Sequence, residues 1–105
     1  MAYRLRIDTV ALRQIEGFAA YLRDYSEDFA IEQIARLDRI LRFNLREAPL
    51  TWGYFPITGA PYRAYLFRVG RRTHYWVIYT IDEQAQTVDI LQFWNASRDP
   101  ASLEL

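Results

Sequence analysis

Residues 61–100 read PYRAYLFRVGRRTHYWVIYTIDEQAQTVDILQFWNASRDP. Three runs rich in β-branched and aromatic residues are separated by two turn signals, Gly70-Arg71-Arg72-Thr73 and Asp82-Glu83-Gln84-Ala85-Gln86. That pattern predicts an antiparallel three-strand meander. In its first strand Tyr62, Ala64 and Leu66 share one side, and Arg63, Tyr65, Phe67 and Val69 the other. The second strand opposes Trp76 and Ile78 to Tyr75, Val77 and Tyr79. The third is expected to set Val88, Ile90 and Trp94 against Leu91 and Phe93. A sheet that is apolar on both faces needs cover on both, or leaves one face for a partner. One layer of helix covers only one face. The other is then expected to present Tyr and Trp with arginines at the rim, the composition of an interface hot spot.

Upstream of the meander lies a long connection, Leu50 through Ala60, which holds Trp52, Tyr54, Phe55, Pro56 and Gly59. Its aromatics are expected to fold back over apolar surface; the alternative is a stacking platform for bases. Before it, two stretches have helical period. Over residues 9–25, Leu12, Ile15, Phe18, Ala19 and Leu22 form one stripe, with Asp8 or Thr9 as cap. Gly17 lies inside this helix at a cost of about 1 kcal/mol against alanine, for which close approach of the next helix is the expected reason. Ser26, followed by Glu27 and Asp28, starts a second helix that carries Ala30, Ile34, Leu37, Leu41 and Leu45 inward to about residue 47. So short a break implies an antiparallel helical hairpin. On the outer side, Glu32–Arg36 and Asp38–Arg42 stand four apart with the acid first. Arg39 and Arg46 have no such acid and are the better candidates for partner contact. The chain opens on strict alternation, with Tyr3, Leu5 and Ile7 on one side and Arg4 and Arg6 on the other, a half-buried strand.

The expected fold is therefore α+β: an antiparallel sheet of the N-terminal strand plus the C-terminal meander, with a helical hairpin packed on one face, in the order β-α-α-β-β-β. At 105 residues, 1–105 make a single domain. With no cysteine and one histidine, His74, a disulfide framework, a thiolate nucleophile and a zinc site are excluded or disfavoured, and neither metal nor cofactor is expected. No apolar run has the length of a membrane span, so no membrane association is expected and the cytoplasm is the expected compartment. Net charge is zero, yet residues 36–72 carry +6 against −2 before and −4 after them, and every basic residue is arginine. Clustered arginine suits an acidic protein partner or a phosphate backbone. The neutral total argues against sequence-specific DNA binding by this chain alone.

The element order, together with Pro61-Tyr62-Arg63 opening the meander and Trp94-Asn95-Ala96-Ser97-Arg98-Asp99-Pro100 closing it, resembles the RelE/ParE superfamily of bacterial toxins. The resemblance covers essentially the whole chain. It implies the toxin of a type II toxin–antitoxin, or plasmid-stabilisation, module that inhibits growth and is neutralised by a cognate antitoxin encoded in the same operon. RelE-like members cut messenger RNA on the ribosome, whereas ParE-like members poison DNA gyrase. Arg63 and Arg98 match arginines that RelE-like enzymes use on phosphate, and tyrosines such as Tyr62 and Tyr65 are near in sequence. Where several RelE-like members carry a histidine, this chain has Asn95, which does not shuttle protons, and it contains no lysine. Arginine stabilises a crowded phosphate but is a poor base. An up-and-down meander brings His74 towards the end that holds Asn95 and Arg98; an exposed hairpin histidine without a role is the alternative.

The balance favours a ParE-like gyrase inhibitor without nuclease activity. Arg39, Arg46, Arg63, Arg71, Arg72, Trp94, Asn95 and Arg98 are then the expected partner-binding residues, with core packing as the other role of Trp94 and a local ion pair to Asp99 as that of Arg98. On the alternative of a ribosome-dependent mRNA endoribonuclease, Arg63, Arg98, Tyr65 and His74 would be catalytic. A third reading is an inactive relative that only binds antitoxin.

Overall fold

A computed structural model describes residues 3–55, 61–98 and 103. Strand β1 (Arg4–Ile7) leads into helix α1 (Thr9–Arg23) and helix α2 (Glu27–Arg39). The Asp8 carboxylate accepts from the Val10 amide at 2.9 Å and the Ser26 hydroxyl from the Phe29 amide at 3.2 Å, so both caps form as their residue types dictate. Helix α2 continues as a π-helical segment, Ile40–Leu45. The chain then makes a single 3-10 turn, Pro49–Thr51, and the meander β2 (Arg63–Val69), β3 (Thr73–Asp82) and β4 (Thr87–Asn95). Gly70, at φ 70°, supplies the left-handed turn between β2 and β3. Among the described residues no helix is long and apolar enough to cross a membrane.

The sheet order is β1-β4-β3-β2. The meander is antiparallel throughout, as expected. Strand β1 departs from the expectation of an antiparallel sheet: it joins β4 in parallel, through bonds from the Arg4 amide to Gln86 O and the Asp8 amide to Ile90 O, so the sheet is mixed. A parallel neighbour requires a long crossover, and the helices with two meander strands supply it. Strand β1 is short, and its Arg4 and Arg6 help to keep this free edge from pairing with another sheet.

Between helices and sheet lies the main core, in which Phe18 meets Phe67, Tyr75 and Phe93. Leu37, Leu41 and Leu45 are buried in it as expected. Leu12 is not; it is 44% exposed, and Ala11 takes the inward position one residue earlier. The second face of the sheet carries its own cluster of Phe55, Ala64, Ile78 and Trp94, with Leu103 packed against it. This face is therefore partly covered, against the expectation of an open aromatic surface. Its cover includes the loop before β2, which bridges back to that strand through the Ala64 amide to Gly53 O and the Phe55 amide to Tyr62 O.

A bulge at Leu91 decides which aromatic of β4 faces which cluster. Ile78 pairs with Gln92, but Tyr79 pairs with Ile90, so one extra residue enters β4. The alternation slips by one, and Phe93 rather than Trp94 follows Ile90 into the main core. Trp94, expected on the side of Val88 and Ile90, lies on the opposite face.

Candidate functional site

Arg63 pairs with Tyr79 near one end of β3, whereas Asn95 pairs with Tyr75 near the other. Four residues of strand separate the two levels, roughly 13 Å. Arg63 is half-buried, donates to Trp52 O at 2.6 Å, and lies over the Tyr54 ring at 4.5 Å. Its guanidinium thus anchors the loop. Tyr65 faces the main core, edge-on to Trp52 at 5.2 Å between ring centres. Neither residue reaches the Arg98 end.

At that other end, the Ala96 amide donates to His74 O at 2.9 Å, so the backbone of His74 does lie beside the end of β4. The Asn95 side-chain oxygen accepts from the Ser97 amide at 3.0 Å and from the Ser97 hydroxyl at 2.8 Å. This is a local turn of the kind that asparagine closes well. Arg98 lies over the Trp94 ring at 5.1 Å. Trp94 itself is 8% exposed, and its indole N–H has no hydrogen-bond partner among the described residues. Its larger role is packing on the second face. The expected Arg98–Asp99 pair lies outside the described residues.

Beside Arg98 a cleft of about 270 Å³ opens against α1, lined by Gln14, Gly17, Tyr21, Tyr75 and Asn95. Tyr75 stacks on Phe93 with ring centres 4.5 Å apart, and its burial raises the phenol pKa. It therefore keeps its proton at neutral pH and offers a donor rather than a base. Gln14 holds this side together: its amide nitrogen donates to the Gln92 oxygen, and its own oxygen accepts from the Phe93 amide, both at 2.7 Å. Gly17 borders the cleft, and a Cβ there would meet nothing within 4 Å. Close approach of α2, the expected reason for this glycine, does not hold. Gly17→Ala is expected to stabilise the fold by about 0.5–1 kcal/mol through helix propensity, measured by urea unfolding. A loss of stability would show a steric demand that this backbone does not display.

Arg71 and Arg72 are exposed in the β2–β3 turn, and Arg39 is exposed at the end of α2. Arg46 donates through Nε to Tyr3 O at 3.0 Å. Of the two helical pairs, Asp38–Arg42 forms at 3.1 Å. Arg36 instead reaches the Gln33 side chain and lies over Phe67 at 4.6 Å. Between α1 and α2 runs a mainly apolar groove of about 470 Å³, lined by Ala19, Ala30, Ile31, Ile34 and Ala35, with Ile31 62% exposed.

One concentration of charge was missed by the sequence reading. Arg4, Arg6 and Arg42 join Arg46 around a cleft at the free edge of β1. Alternation placed Arg4 and Arg6 together, and helical spacing placed Arg42 near Arg46. Only the docking of the π-helical segment's end beside the start of β1, with the Tyr3 amide donating to Arg46 O at 3.0 Å, unites the two pairs.

No protein-family model matches the chain, and no curated relative does. Among solved structures, a chain of the toxin–antitoxin complex RelBE2 from Mycobacterium tuberculosis superposes with a TM-score of 0.63 at 21% identity, over 93% of this chain and 95% of that one. At that identity the likeness shows a shared fold.

Proposed function

We propose that this protein is the toxin of a type II toxin–antitoxin module, held inactive by a cognate antitoxin, and that it inhibits growth by binding DNA gyrase rather than by cutting RNA. The shared fold and the toxin–antitoxin nature of the neighbouring complex support the module. The mainly apolar interhelical groove, with Ile31 exposed in it, suits an apolar segment of an antitoxin.

The observation that carries the non-nucleolytic reading is the dispersal of the candidate catalytic set. Strand cleavage by a 2′-hydroxyl needs a base, an acid and a cation around one phosphate. Here Arg63 and Tyr65 are engaged near one end of the sheet with Trp52 and Tyr54, while Arg98 stands near the other beside a protonated Tyr75 and an Asn95 closed into a turn. Such a surface binds well and transfers protons poorly. On this reading Arg98, with the cleft at its foot, forms part of the contact with the target.

Expression without antitoxin is expected to induce the DNA-damage response and to disturb plasmid supercoiling while transcripts remain intact. Prompt codon-biased cuts in mRNA would overturn the gyrase reading in favour of a ribosome-dependent nuclease. No growth defect would leave an antitoxin-binding relative. Arg98→Ala is expected to weaken growth inhibition with an unchanged melting curve; full toxicity would reduce Arg98 to a cover for Trp94.

A further inference from the structure

The cleft at the free edge of β1 encloses about 570 Å³, and its walls carry Arg4, Arg6, Arg42 and Arg46 together with Leu5 and Thr87. Among the described residues no acidic side chain lines it. Arg4 and Arg6 leave the same side of β1, roughly 7 Å apart along the strand. Arg42 and Arg46 come from the end of α2, where the helix widens and the Arg46 amide bonds back five residues to Leu41 O at 3.1 Å. Such π-helical turns are rare and recur at functional sites. This one delivers Arg46 to Tyr3 O, which holds the Arg46 Nε at 3.0 Å; the two terminal nitrogens make no hydrogen bond among the described residues. Arg4 makes no side-chain bond among the described residues. Arg6 touches the half-buried Asp89 at 3.4 Å, and Arg42 touches Asp38 at 3.1 Å in an exposed pair that an incoming anion displaces at little cost.

The remaining lining decides which anion. A protein hot spot needs aromatic or large apolar anchors, and among the described residues this cleft has Leu5 alone. A single-strand site needs aromatic platforms for bases, and among the described residues it has none. Guanidinium groups spaced along an edge, without readers of base or side chain, match a row of phosphates. The geometry points to this cleft as a seat for the phosphodiester backbone of a nucleic-acid duplex, bound through charge and without regard to sequence. Because the chain as a whole is neutral, the attraction is local and salt-sensitive. The site stands apart from the Arg98 cleft and does not depend on which protein the toxin reading names.

The test is fluorescence anisotropy of a labelled mixed-sequence DNA duplex titrated with the full chain over a range of salt. Binding at low salt is expected, with log K falling against log salt at a slope of about −2 to −4, the value for two to four phosphates neutralised. Arg4→Ala and Arg42→Ala should each weaken binding several-fold and reduce the slope by about 1. Both side chains are exposed, so neither substitution endangers the fold. Arg71→Ala and Arg72→Ala, on the far side of the sheet, should leave binding unchanged. An RNA duplex of the same sequence should bind within a few-fold, since charge rather than sugar is read. Absence of duplex binding at low salt overturns the proposal, as does loss of binding in the Arg71 and Arg72 variants instead. Binding of poly-glutamate but not of duplex, with the same dependence on Arg4, would also overturn it and reassign the cleft to an acidic peptide.

Discussion

Leu37→Ala is expected to lower the unfolding free energy by about 2–5 kcal/mol. Leu37 is 2% exposed and belongs to the main core beneath the sheet's helical cover. Truncation removes the transfer energy of its outer carbons and leaves a cavity that its neighbours fill only in part. Those neighbours are themselves fixed, because α2 is tied to the rest of the fold by the Tyr3 amide bond to Arg46 O and by Arg36 over Phe67. For a domain whose total stability is on the order of 5–15 kcal/mol, this is a large fraction. Urea titration should show a lower midpoint with an unchanged slope, the mark of a native-state cavity rather than an altered unfolded chain. A loss below about 0.5 kcal/mol, the usual range for surface changes, would mean that α2 packs by another side.

The second large effect is on pH dependence. Tyr79 is fully buried, and its hydroxyl donates to Pro49 O at 2.6 Å. Burial pushes its pKa up to about 12, although Arg63 opposes the rise. A phenol whose folded-state pKa exceeds its unfolded value of about 10 holds its proton more firmly in the folded state. Its contribution is complete below about pH 10 and is lost progressively as pH climbs towards about 12, an integrated loss on the order of 2–3 kcal/mol. Tyr79→Phe should cost about 1–3 kcal/mol at neutral pH, because the buried Pro49 carbonyl loses its donor. Its stability curve should then be flatter than the parent's across the alkaline window. Parallel curves for the two proteins would assign the alkaline loss to other groups, such as Tyr75, whose pKa burial also raises.

Much of the fold was legible because its signals are local. Ser26 before two acids starts a helix wherever that segment lies, and Gly70 makes the turn that only its backbone tolerates without strain. The meander followed from runs of Val, Ile, Tyr, Phe and Trp between polar turns. The long loop's aromatics were read correctly in part: Phe55 packs under β2 and Trp52 against Tyr65, while Tyr54 is 63% exposed. The errors came where a local rule was extended past its reach. Strict alternation along β4 ignored an extra residue that no side chain announces, and so exchanged Phe93 with Trp94. A general excuse for glycine in a helix was assigned to Gly17, where open space lies.

Charge gave the sharpest contrast. Composition revealed an arginine excess in the middle of the chain but treated each side chain by its own sequence neighbours. Arg36 lacks its expected acid and Arg63 anchors a loop, while Arg4 and Arg6, outside the basic segment, complete the cleft with Arg42 and Arg46.

By itself the sequence determined the kind and order of the elements, their caps and turns, and the inward stripe of α2, since these depend on dihedral preference and on periods of two and 3.6 residues. The direction of β1, the side that Trp94 takes, and the company each arginine keeps were decided by tertiary structure. A four-residue strand carries a face but no arrow, and side chains far apart in sequence meet only where helix and sheet edge pack together.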